Sequence, residues 1–220
     1  MVNSLQTEPV RDLLGRLFLA ADDDHLHRPG ITERYPGGVR HLDAREQADA
    51  YQELYIPVSP EGGRLLYALV RAARPATVVE FGTSFGISTI HLAAAVRDNG
   101  AGRVISTELN AAKAAQARAN LAEAGLSDWA TILLGDARQT LATVDAPVGF
   151  VLLDGWKNLY LPVLRLLEPR LTPGALILAD DTVSMAEEMP DYLAYIRDPA
   201  HGYLSIPFPE SDGLEITCRA

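Results

Sequence analysis

At 220 residues, 48% of them hydrophobic, the chain is long enough to bury a full core, and one large domain is expected. Its 29 acidic residues against 19 lysines and arginines leave a net charge of −10, a poor match for a phosphate backbone, so nucleic acid is not expected as a partner. The single cysteine, Cys218, fits a reducing cytoplasm, and with no signal-like start or membrane-length apolar run a soluble chain with no membrane association is expected.

The first part of the chain has weak periodicity. "VRDLLGRLFLAA" (10–21) is amphipathic, "HRPGITERYPGG" (27–38) is broken by proline and glycine, and "LDAREQADAYQELY" (42–55) reads as a further helix. Residues 1–57 are therefore expected to form a helical cap or dimer arm, and residues 58–220 a catalytic α/β core. From residue 77 onward short β-rich runs alternate with helical stretches. "TVVEFG", "RVISTE", "ATILLG", "VGFVLLD" and "GALILAD" are nearly continuous in valine, isoleucine and leucine, as parallel strands covered on both faces require. Helices are expected over 87–97, over the Ala-rich 110–125 with Asn110 as cap and Gly125 as stop, and over 159–171. This alternation predicts a doubly wound, mostly parallel sheet. The tail differs: "DYLAYIRDP" reads as a helix, and "HGYLSIPF" and "GLEITCR" flank "PESDG" as an antiparallel hairpin.

The first clear strand runs into "EFGTSFGIS" (80–88), with Gly82 and Gly86 at a strand-to-helix turn where backbone must approach a ligand or adopt positive φ. The spacing falls short of the G-x-G-x-x-G dinucleotide fingerprint. It does contain G-x-S-x-G, and the order Ser84, Asp180 or Asp181, His201 follows that of α/β-hydrolases. Against a hydrolase, no strand precedes residue 77 to complete an oxyanion hole, and Glu80 and Glu108 would have no role. Glu108 ends the second strand, where an acid can accept hydrogen bonds from both hydroxyls of a ribose, or simply lead a helix capped by Asn110. Glu80 lies within an apolar strand, and a buried carboxylate needs partners. Asp136, after the third strand, reads equally as a helix cap or as a contact to an adenine amino group. "DDDHLH" (22–27) lies in a polar, irregular stretch and is a weak metal tract; His91 and Cys218 read as structural, and Tyr51 and Tyr55 as packing beside a pocket.

"LDGWKNLY" (153–160) ends the fourth strand in Asp154, with Lys157 three residues on. Alone it reads either as a cap with a solvated lysine or as a carboxylate and an amine aimed into a cleft. "GALILAD" ends the fifth strand in Asp180, followed by Asp181. If the two strands are neighbours, about 4.8 Å apart, their carboxylates can share one ion.

Taken in order, Glu80–Gly86, Glu108, "GDA" (135–137), D-x-W-K-x-x-Y-L-P and the acidic pair resemble the class I S-adenosylmethionine-dependent O-methyltransferases of the catechol O-methyltransferase-like family. The resemblance runs from about Val58 to the end and takes in "IPVSPEGGRLL" and "SDGLEI". It implies a Rossmann-like fold, S-adenosylmethionine and a divalent metal such as Mg²⁺ as cofactors, a homodimer, and a small catechol-like or vicinal-diol acceptor. By the same resemblance Val58, Glu80, Gly82, Thr83 and Ser88 line the methionine part of the cofactor, with Asp154 nearby. Glu108 binds ribose, Asp136 and Ala137 border adenine with Trp156, Asp154, Asp180 and Asp181 hold the metal, and Lys157 is the base. One departure stands out: the family has Asp-Asn where this chain has Asp180 and Asp181, so Asp181 either adds a third carboxylate or turns away. A non-catalytic nucleoside-binding protein on the same fold is the remaining alternative. The short loop "TVSMAEEMP" (182–190) leaves little room for a lid, so an open acceptor site is expected.

Overall fold

The five apolar runs become parallel strands in a computed structural model of the chain, which describes residues 3–208 and 212–220. They are β1 (Thr77–Phe81), β2 (Arg103–Glu108), β3 (Ala130–Leu134), β4 (Val148–Leu153) and β5 (Leu171–Ala179). Two further strands, β6 (Tyr203–Phe208) and β7 (Leu214–Arg219), complete the order β3-β2-β1-β4-β5-β7-β6, with β7 antiparallel to both neighbours. The expected hairpin thus enters the sheet with its second strand inward. Of its turn, residues 209–211 lie outside the described residues.

The helices are α1 (Glu8–Ala21), α2 (Asp24–Arg34), α3 (Ala44–Ala50), α4 (Pro60–Ala73) and α5 (Ile87–Asn99). After them come α6 (Ala111–Glu123), α7 (Ala137–Thr140), α8 (Tyr160–Leu167) and α9 (Pro190–Arg197). Local chemistry sets several of their ends. Ser59 caps α4 by accepting from the Gly62 N–H at 2.8 Å, with Pro60 in the first turn. Asn110 caps α6 by accepting from Ala112 and Lys113 at 3.0 and 3.1 Å. Strand alternation then divides the interior in two. Val78, Phe150, Leu152 and Leu178 pack toward α1, α4, α5 and α6, whereas Val79, Val151, Leu153 and Ile177 pack toward α8 and α9. Each such side chain contributes about 1.5–3 kcal/mol on burial.

Three expectations change. The stretch expected to be broken at 27–38 is broken only after Arg34, before Pro36, Gly37 and Gly38; α2 runs through Pro29, because one proline removes only one helical N–H and the helix is anchored at its start. That anchor is Asp24, whose carboxylate accepts from the Tyr55 and Ile56 N–H groups at 2.8 Å each. The helix expected over 42–55 is confined to α3, closed by a capping box between Asp43 and Glu46. The helix expected over 159–171 ends as α8 at Leu167, before Pro169, and Leu171 already belongs to β5. There the register jumps from Val148↔Leu171 to Phe150↔Leu176, so Pro173 and Gly174 are absorbed as an irregularity at the strand's start.

No helix among the described residues is long and apolar enough to cross a membrane. Strand order reverses between β1 and β4, since β1 pairs with β2 on one side and β4 on the other. In doubly wound sheets ligands bind at the carboxyl ends of strands at such a switch point. Gly82 and Asp154 stand there.

Candidate active site

A cavity of about 630 Å³ opens at this edge. One wall is the turn after β1, with Gly82, Thr83, Ser84 and Ser88; Glu108, Asp136 and Ala137 follow from β2 and β3, and Asp154, Trp156, Lys157 and Asp181 form the opposite wall. Residues of the N-terminal region, among them Arg40, Tyr51 and Tyr55, roof it. The cavity therefore brings together most of the residues expected from the motifs. Val58 lines a smaller adjoining cavity of about 80 Å³ with Asp154, Asp180, Asp181 and Asp212.

The turn is pinned from several sides. Gly82 has φ +102° and Gly86 φ +87°, and Ser84, not a glycine, sits at φ +47°. Glu108 holds it by accepting from the Ser84 N–H at 2.8 Å, while its other oxygen accepts from the Asn110 N–H at 2.8 Å. Asp136 caps α7 through the Arg138 N–H at 2.9 Å and also borders the cavity, so both readings of it are sterically compatible. Tyr55 stacks on Phe85 with centroids 4.1 Å apart, and Tyr51 faces Trp156 at 5.9 Å.

Glu80 behaves differently from the others. It is fully buried beneath the turn, with one oxygen accepting from Thr89 and Ser106 at 2.5 Å each; the other has no partner among the described residues. Burial pushes its carboxyl up to about 7, against the hydrogen bonds of Ser106 and Thr89, which hold it down. The folded protein therefore binds more protons than the unfolded chain between about pH 4.5 and 7, and stability falls as pH rises through that window. Glu80→Gln should remove this loss. Its stability relative to wild type should climb by up to about 3 kcal/mol from pH 4.5 to 7 and stay level outside that window, as read by urea unfolding. A difference that does not vary with pH would refute the assignment.

At the ends of β4 and β5 the acids converge. Leu153 pairs with Ala179, so Asp154 and Asp180 emerge side by side, and Asp181 completes a group with one oxygen from each within 4.8 Å of the others. Asp181 adopts φ +61°, a left-handed conformation that aspartate tolerates, and does not turn away. Burial, then the neighbouring Asp180, drives Asp154 well above the usual carboxylate range; burial, then Asp181, lifts Asp180 to about 6. One buried lysine answers them. Lys157 Nζ lies 2.7 Å from Asp181 Oδ2 and 3.9 Å from Asp154 Oδ1, and it donates to the Tyr160 hydroxyl at 2.7 Å. Three carboxylates against one ammonium leave excess negative charge, and an all-oxygen set suits a hard dication. The three oxygens lie within 4.8 Å of one another, a bound that exceeds the most two oxygens sharing one Mg²⁺ can reach, about 4.2 Å, and falls inside the span of about 4.6–5.2 Å for the longer bonds of Ca²⁺. The residues fit a hard dication.

Sequence reasoning missed Lys113. It is buried on α6 and lines the cavity, donating to Leu54 O at 2.7 Å and to Ser84 Oγ at 3.2 Å, and burial lowers it to about 8. Its signal was its place on the buried stripe with Ala117, Asn120 and Leu121. The "DDDHLH" tract holds no carboxylate or histidine cluster of metal-binding geometry; Asp24 serves the backbone instead. His91 is buried and bonded to Ile87 O at 2.8 Å, and Cys218 is half-buried on β7. Nor is a hydrolase triad assembled. Ser84 Oγ donates to Tyr55 O at 2.7 Å, while His201 precedes β6, whose Tyr203 pairs with Arg219 at the amino end of the parallel sheet, opposite the acids.

Comparison with known proteins agrees with this layout. A family profile described as a methyltransferase domain matches residues 79–182. The chain is 36% identical over 160 residues to a probable O-methyltransferase of Mycobacterium tuberculosis, covering 67% of this chain and 66% of that protein. It is 32% identical over 163 residues to the catechol O-methyltransferase of Mus musculus, covering 71% and 60%. The chain thus spans somewhat under two thirds of the length of these curated relatives. Among solved structures, a cofactor-bound protein from Mycobacterium tuberculosis superposes with a TM-score of 0.70 at 27% identity, covering 80% of this chain and 88% of that one.

Proposed function

We propose that the chain is an S-adenosylmethionine-dependent O-methyltransferase related to the catechol O-methyltransferases, and that it methylates a hydroxyl of a small vicinal-diol, catechol-like acceptor with a divalent ion such as Mg²⁺. The observation that carries this reading is the convergence of Asp154, Asp180 and Asp181 beside Lys157, across the cavity from the glycine turn.

In this reading the cofactor's methionine end lies along Val58, Gly82, Thr83 and Ser88, with Glu80 ordering the hydroxyls beneath. Glu108 takes the ribose, and Asp136, Ala137 and Trp156 border the adenine. Methyl transfer to oxygen is an in-line displacement: the C–S bond of the sulfonium breaks, the O–C bond forms, and the hydroxyl proton must leave. A phenol with a pKa near 10 is mostly protonated at neutral pH. Asp154, Asp180 and Asp181 would hold the divalent ion, which when bound would supply acidification and orientation of the vicinal hydroxyls. Lys157 in its neutral form accepts the proton, and Tyr160 holds its Nζ in place. The reading extends to a cytoplasmic homodimer, supported by the family resemblance and by the single cysteine.

The test is incubation with S-adenosylmethionine, Mg²⁺ and a panel of vicinal diphenols and their monohydroxy analogues, with and without chelator. Methylated product is expected from the diols alone and is expected to disappear with chelator. Turnover indifferent to chelator refutes the metal-dependent reading, and equal turnover of monophenols refutes the vicinal-diol acceptor.

A further inference from the structure

The metal reading just given leaves a question about Asp181, which is a carboxylate where the family has an amide. A neutral side chain there would offer Lys157 an oxygen without charge. Here the ammonium instead sits 2.7 Å from Asp181 Oδ2, with its next carboxylate, Asp154, at the looser 3.9 Å. It is buried, anchored by the Tyr160 hydroxyl at 2.7 Å and stacked over that ring at 5.0 Å. One of the carboxylates that would ligate an ion is thus already in close contact with a cation belonging to the chain.

We propose that Lys157 is the resident counter-cation of the acidic cluster, competing through Asp181 with a divalent ion for the same carboxylates. The consequence is a coupling between occupancy and the lysine. An ion drawn into the cluster takes Asp181 from Lys157 and repels the ammonium, leaving the amine held by Tyr160 alone. Removing the lysine's charge removes a competitor, so metal affinity should rise in the variant that has lost its base. The effect should also depend on residue 181, because the remaining contact to Asp154 is long.

This inference rests on the proposed metal site, and its test separates the two. Calorimetric titration of Mg²⁺ and Mn²⁺ into wild type, Lys157→Met, Asp181→Asn and the double variant gives a double-mutant cycle in metal affinity, with no activity measured. Lys157→Met is expected to bind about tenfold more tightly than wild type, and the gain should shrink to within about threefold when residue 181 is asparagine. Lys157→Gln, which keeps a donor for Tyr160 without charge, repeats the comparison should the methionine variant fold poorly without metal. Equal affinity in wild type and both uncharged variants overturns the inference alone. The same gain in both backgrounds also overturns it, since Asp181 would not carry the competition. No binding by any of the four proteins overturns it together with the metal site on which it stands.

Discussion

Lys157→Met should lower kcat for methyl transfer by about 10²–10⁴-fold, the usual share of a positioned base, while KM for S-adenosylmethionine stays within about threefold. The expectation follows from placement. The lysine belongs to the 3₁₀ turn Lys157–Leu159 directly after the Asp154 strand end, and Tyr160 one turn later fixes its Nζ at 2.7 Å. It lines the cavity at the acidic wall, away from Glu108 and Asp136 on the side proposed for the cofactor. Its loss should therefore reach the step in which the hydroxyl proton leaves and spare cofactor binding. Lys157→Arg separates a base from a mere positive charge, because a guanidinium does not give up its proton in proteins. Recovery of most activity by arginine would mean that the residue acts as a charge. A rise in KM with kcat unchanged would reduce it to a binding contact.

The features legible in the sequence were those with a local cause. Parallel strands covered on both faces need near-continuous apolar runs, so β1, β2, β3 and β4 could be placed to within a residue or so. Asp154 and Asp180 stood out because a charge ending such a run has no use in a core. Their approach depended on strand order, which comes from crossovers and not from any one segment, yet the neighbouring of β4 and β5 is the ordinary outcome for that order. Less was legible where a tertiary partner decided. Pro29 did not break α2, because Asp24 pins the helix start to Tyr55 and Ile56, 31 and 32 residues away. Lys113 was not singled out on its Ala-rich helix, yet its ammonium holds the carbonyl of Leu54, 59 residues away. Glu80 was legible as a buried acid in need of partners. Those partners are Thr89 and Ser106, and the residue lies beneath the cavity wall and not on it.

Gly82→Ala should be far more damaging than the same change at Gly86 or Gly174. The residue has φ +102°, which an L side chain rarely adopts, and a Cβ there would lie 2.3 Å from Asp154 O, 2.7 Å from Asp154 C and 2.9 Å from Gly155 N. All three are backbone atoms, so no rotamer change relieves the clash. Nor can the backbones part freely, because the Asp154 N–H is bonded to Phe81 O at 2.8 Å and the Gly82 N–H to Thr107 O at 3.2 Å. Strain of about 1–3 kcal/mol from the dihedral and a similar amount from overpacking should add to about 4 kcal/mol. For a chain of this size that is a Tm lower by roughly 8–16 °C. Gly86→Ala, at φ +87° with Ala117 Cβ at 3.3 Å, should cost about half as much, since α6 need give way there by only a few tenths of an ångström. Gly174→Ala, at φ +76° with open space around it, should cost only the dihedral, about 1–2 kcal/mol. The order 82, 86, 174 in thermal unfolding is the prediction, and a Gly82→Ala protein as stable as Gly174→Ala would refute it. The functional consequence follows from the same contact. Whatever displacement Gly82→Ala forces is passed to the Asp154 carbonyl, and with it to a carboxylate of the ion site proposed with Asp180 and Asp181. Divalent-ion affinity should therefore fall in the Gly82 variant and hold in the Gly174 variant, even at temperatures where both remain folded.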